Sequence, residues 1–242
     1  MKLYILTFLI FLISCSIKQS KKDNNNIQVT QPLEKVESDT LSPNAEIIET
    51  FTDSLNIGEK GNCKIEIIKH RVFDDTYVII KFYTKGPAYW CIQNTYLYEC
   101  DGLMGLDPYI SDFNNDKFND LTFISATAAR SANEVRRLFI YDAQEKKLFS
   151  ILNSQDYPNM QYNKKLDCID AFLVHGGSTT VFAKIIGDSL KEFARVNNDN
   201  NRTVYEIDKS GKEKLIRKDT ITDLSKVYVR YKNYKPLEEY KK

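Results

Sequence analysis

The stretch YISDFNNDKFNDLTFIS crowds Asp112, Asp116 and Asp120 into nine residues, fills the gaps with asparagine and runs straight into an apolar segment. Asp and Asn compete with the helical backbone for hydrogen bonds, and like charges four residues apart repel on a helix, so these residues belong to a loop. Either water or a cation must settle the repulsion. Hard cations take six to eight oxygen ligands from carboxylates, amide oxygens and main-chain carbonyls. Side chains at loop positions one, three and five turn inward together, which selects Asp112, Asn114 and Asp116. Position seven offers its carbonyl, here that of Phe118, and Asp120 at position nine completes the set. The expectation is a structural calcium ion; the simpler alternative is a solvated acidic turn.

At position twelve an EF-hand needs a bidentate glutamate, and this chain has Phe123 there, so an EF-hand is excluded. The pattern resembles the FG-GAP or VCBS type of calcium loop, D-x-[DN]-x-D-G-x-x-D-[LIV] leading into a strand, matched by Asp112, Asn114, Asp116, Asp120 and Leu121. Asn115 stands where that pattern often has glycine, and Lys117 where it usually does. A lysine forced to positive φ costs roughly 1 kcal/mol. As a whole the chain also resembles bacterial lipoproteins that carry one such loop and, in some cases, act as immunity factors restraining peptidoglycan hydrolases. That likeness implies a protein partner in the envelope.

The start of the chain fits export. Lys2 precedes an apolar run from Leu3 to Ile13 that is too short to span a bilayer, and the run closes on Leu12-Ile13-Ser14-Cys15, which resembles a lipoprotein lipobox. Residues 1–14 read as a signal peptide, Cys15 as the lipid attachment point, and 15–45, polar and without apolar period, as a flexible tether. The flank SIKQSKKD is basic, which favours the periplasmic side of a membrane over display on the cell surface. The whole chain has 34 Lys and Arg against 33 Asp and Glu, and loss of Lys2 with the signal makes these equal. That balance gives no electrostatic case for nucleic acid.

With Cys15 lipidated, Cys63, Cys91, Cys100 and Cys168 remain, an even number for an oxidising compartment. Four cysteines allow three pairings. The spacing of CIQNTYLYEC suits a local clip, so Cys91–Cys100 with Cys63–Cys168 is the expected set. Zinc is a poor alternative, because there is no CxxC pair and only two histidines.

The elements that must position the loop read as short strands within one domain over 46–242. CKIEIIKHRVF and TYVIIKFYT form a hairpin around Asp74-Asp75, AYWCIQNTYLYEC follows, and RRLFIYD and KLFSIL are joined by AQEKK. DAFLVHGGSTTVFAKII and TVYEIDKSGKEKLIRK each reverse at glycine, and KVYVRYKNY suits a lysine-protected edge strand. Helix-friendly composition occurs only in ATAARSANEVRR and SLKEFARV. The fold class expected is all-β, with antiparallel short strands in a sandwich, barrel or small propeller-like arrangement and at most two short helices. An enzyme is less favoured. His175-Gly176-Gly177 has the look of a lipase oxyanion segment, but no G-x-S-x-G nucleophile elbow accompanies it, so it reads as a glycine turn. An envelope hydrolase with an unrecognised active site is the alternative to a binding protein.

Overall fold

In the computed structural model, residues 45–241 are described, and the expected signal peptide, Cys15 and almost all of the tether lie outside them. The described residues are all-β, with antiparallel strands, no closed barrel and no α-helix.

Every strand pairs with its neighbour in sequence, so the sheets are meanders. The first contains β1 (Glu46–Asp53), β2 (Cys63–Val72), β3 (Asp75–Lys85) and β4 (Trp90–Cys100). The second contains β5 (Tyr109–Ser111), β6 (Asp120–Ala128), β7 (Asn133–Asp142) and β8 (Lys147–Ser150). The third runs through β9 (Gln161–Asn163), β10 (Cys168–Val174), β11 (Ser178–Ile186), β12 (Ser189–Asn198), β13 (Asn201–Ile207) and β14 (Glu213–Thr220). A small hairpin of β15 (Tyr231–Tyr234) and β16 (Leu237–Glu239) follows.

Side chains alternate across a strand, and this period explains the layering. Leu138 and Phe139 are neighbours on β7 that point to opposite faces. Phe139 joins Ile67, Ile80, Phe82 and Phe123 in a core between the first and second sheets. Leu138 joins Phe113, Ile169, Ala183 and Leu190 in a core between the second and third. The second sheet is therefore covered on both sides, which is why β6 begins as a continuous buried run, DLTFIS, rather than an alternating one. A third core, built on Phe182, Val196, Val204 and Tyr231, lies on the far face of the third sheet.

Both helix expectations fail. SLKEFARV lies in β12, where a bulge at Phe193 lets Leu190 enter the second core and Ala194 and Val196 the third, on the opposite face. In ATAARSANEVRR, Ala129, Arg130 and Ser131 all have positive φ and form the β6–β7 turn. Side-chain packing overrode helix-friendly composition in the first, and hairpin geometry did so in the second. The expected tail strand is shortened: only Tyr231–Tyr234 of that segment pairs, and it pairs with β16 rather than along a large sheet.

The disulfide expectation is also corrected. Cys91 and Cys100 sit at opposite ends of the single strand β4, nine residues or roughly 30 Å apart. A disulfide needs Cα atoms within about 7 Å. Cys63 belongs to the first core and Cys168 to the third. All four are free thiols.

Besides the burial of Tyr231 in the third core, the closing hairpin is fastened through a cluster of hydrogen bonds at Asp170. Asp170 of β10 is wholly buried and accepts from Arg230 Nε at 2.7 Å, Asn163 Nδ2 at 2.9 Å and the Tyr240 hydroxyl at 2.5 Å. Arg230 Nη2 also donates to the Asp170 carbonyl at 2.9 Å.

Candidate functional site

The 112–119 loop connects β5 to β6 and is held from three directions. Its first anchor is Phe113, which is 2% exposed in the second core and meets Tyr109 edge-on. The second is Phe118, whose half-buried ring packs on Tyr141 of the first core at 5.5 Å between centroids. The third is Asn119, whose carbonyl accepts the Gly58 N–H at 2.8 Å and whose amide donates to the Asn56 carbonyl at 2.9 Å. Two aromatic residues five apart thus enter two different cores and leave the polar residues between them outside.

Asp112 folds the loop around its own carboxylate. Its Oδ1 accepts the N–H groups of Asn114 (3.3 Å), Asn115 (2.6 Å) and Asp116 (3.2 Å), and its Oδ2 accepts that of Lys117 at 2.9 Å. Asp116 Oδ1 accepts the Phe118 N–H at 2.8 Å, and its Oδ2 accepts Asn114 Nδ2 at 2.8 Å. Two residues take left-handed backbone, Asn115 at φ 62° and Lys117 at φ 78°. These are the two positions where the sequence pattern favours glycine, so the chain follows the expected trace without it.

Asp120 opens β6 and is 0% exposed. Its two oxygens accept the N–H groups of Tyr141 and Phe113, each at 2.8 Å, which ties the loop to β7. Burial pushes its carboxyl up to about 8, the two main-chain donors oppose that, and the charges of Asp116 and Asp112 add to it. A neighbouring dication is the kind of charge that reverses such a shift. By residue type alone, the carboxylates of Asp112, Asp116 and Asp120, the amide oxygen of Asn114 and the Phe118 carbonyl are donors of the kind a hard cation takes. Among the described residues no group of three or more His, Cys, Asp or Glu side chains is arranged to hold a metal ion, so the three carboxylates are not gathered around one point; those of Asp112 and Asp120 turn to main-chain N–H groups instead.

Sequence reasoning missed the anchors Phe113, Tyr141 and Asn56. Phe113 alone of these had a visible signal, as one of the two apolar residues set among the polar residues of the loop. The contacts of Tyr141 and Asn56 come from other strands and left no local mark.

A second constellation lies at the β10–β11 turn. His175 Nε2 is 3.1 Å from Thr179 Oγ1, and Asp199 lies 3.7 Å from Nδ1. The composition is that of a hydroxyl, imidazole and carboxylate relay, but the proton is placed wrongly for one. The Gly177 N–H donates to Nδ1 at 3.1 Å, so the neutral ring carries its proton on Nε2 and can only donate to Thr179. A general base needs the opposite tautomer. Gly177 is required for packing, because a Cβ there would strike the Asn198 carbonyl and the Asp199 carboxylate. The turn reading of the HGGS run therefore stands on geometry.

No family model and no curated protein matches the sequence. Two solved chains match in structure. One is described as a Xanthomonas Type IV Secretion System related protein; it is 12% identical with a TM-score of 0.46, over 72% of this chain and 97% of that one. This likeness is too distant to carry an argument about activity.

Proposed function

We propose that the protein is a non-enzymatic binding protein of the bacterial envelope, anchored through Cys15 on the periplasmic side and stiffened by one structural calcium ion. The ion is held by Asp112, Asn114, Asp116, Asp120 and the Phe118 carbonyl. The observation that supports the calcium reading is the trace of the loop: Asn115 and Lys117 take left-handed backbone at the two positions where the calcium-loop pattern favours glycine, and Asp120 closes the loop as a buried carboxylate. The partner class follows from the resemblance to immunity lipoproteins: a cell-wall hydrolase that this protein restrains.

Melting the full chain with calcium and then with chelator tests the ion. At a hundred times its dissociation constant, calcium adds about 2.7 kcal/mol, and Asp116→Ala removes that increment. Equal melting temperatures in the two buffers reject the calcium site. Pull-down from envelope extracts, with activity assays on any hydrolase recovered, tests the partner. Recovery of no partner, together with turnover of peptidoglycan by the pure protein, favours the hydrolase alternative.

A further inference from the structure

Beside the loop, where the second and third sheets part, a groove of about 580 Å³ opens to solvent. Its apolar wall is formed by Ile140 of β7 and Ile185 of β11, at the edge of the second core, together with Phe149 of β8. Phe149 is 41% exposed although it sits within a strand. Asp116, Asp142 and Asp188 stand among the same lining residues, each from a different loop or strand end, and no lysine or arginine lines the groove. The basic residue next to Asp142 across the hairpin, Lys147, is paired with Glu145. Two other grooves of similar size differ in this respect. One mixes Glu206 and Asp208 with Lys212 and Lys214, and the other pairs Lys226 with Glu239.

We infer that this groove is the docking site for a partner segment that presents one large apolar side chain between lysine or arginine residues. The apolar wall supplies area that water leaves on contact, and the two carboxylates outside the ion site, Asp142 and Asp188, which have no ion-pair partners among the described residues, select the sign of the flanking charges. Desolvating an unpaired carboxylate is costly, which disfavours an acidic or neutral segment in the same position. The inference rests on the binding-protein reading for its partner but not on the calcium ion. Asp116 is shared with the loop, whereas Asp142 and Asp188 are independent of it.

The test uses the full chain and a synthetic peptide with one phenylalanine between two pairs of lysines, followed by fluorescence anisotropy at low salt. The controls carry glutamates for the lysines, or serine for the phenylalanine. The lysine peptide should bind with a dissociation constant below about 1 mM and the controls should not. The D142N/D188N double variant should weaken binding about tenfold or more, and Phe149→Ser should do the same. Asparagine keeps an acceptor oxygen for the Gln144 and Glu145 N–H groups that Asp142 now caps, so the turn survives the change. Equal affinity for wild type and double variant, or no binding of the lysine peptide at millimolar concentration, overturns the assignment. In pull-down, a partner retained equally by both forms also overturns it while leaving the binding-protein reading intact. If wild type retains no partner, that reading loses its support and the peptide titration alone decides the groove.

Discussion

Lys117 holds a long side chain on left-handed backbone, at φ 78°, and the steric cost of that conformation is specific to residues with a Cβ. Lys117→Gly should therefore raise unfolding free energy by about 0.5–1 kcal/mol, read as a higher urea midpoint, while a β-branched Lys117→Val should lower it. Asp120 is the opposite case, a residue whose value lies in what it accepts. Asp120→Ala leaves the Phe113 and Tyr141 N–H groups buried without an acceptor and should cost about 2–4 kcal/mol in chelator. Asp120→Asn keeps one acceptor oxygen and should fall between the two. An alanine variant as stable as wild type would show that water reaches those donors. The loop ligands could be read in the sequence because their spacing is local: Asp112, Asn114 and Asp116 lie within five residues. The burial of Asp120 could not, because it depends on Tyr141, twenty-one positions away.

Among the elements, strands were legible wherever period-two alternation met a turn signal, as in the β2–β3 hairpin at Asp74-Asp75. Two segments with helix-friendly residues were not, since Leu190, Ala194 and Val196 find their partners on the third core and second core rather than within a helix. Cysteine parity misled for a related reason. Parity and spacing say nothing about direction, and CIQNTYLYEC runs straight through β4 instead of turning back. Cys91, Cys100, Cys63 and Cys168 should accordingly all titrate with a thiol reagent after unfolding without reductant, and reductant should leave the melting temperature unchanged. A drop in melting temperature on reduction would mean that a bridge forms which the strand geometry does not permit.

At the scale of the whole molecule, three cores separated by meandering sheets explain why no single hydrophobic pattern announces the architecture. The second sheet serves two cores at once, as the juxtaposition of Leu138 and Phe139 on β7 and the buried run of β6 reveal. The fastening at Asp170 makes the closing hairpin part of this assembly. Arg230→Ala strands a buried carboxylate and should cost about 3–5 kcal/mol, measured by denaturant unfolding. The two chain segments joined there lie sixty residues apart in sequence. Once made, the contact ties the fraying of residues 231–240 to the rupture of the third sheet. The amide hydrogens of Tyr231 and Asn233 should then exchange with solvent as slowly as those of β11, on the timescale of global opening, rather than with the fast rates of a peripheral hairpin.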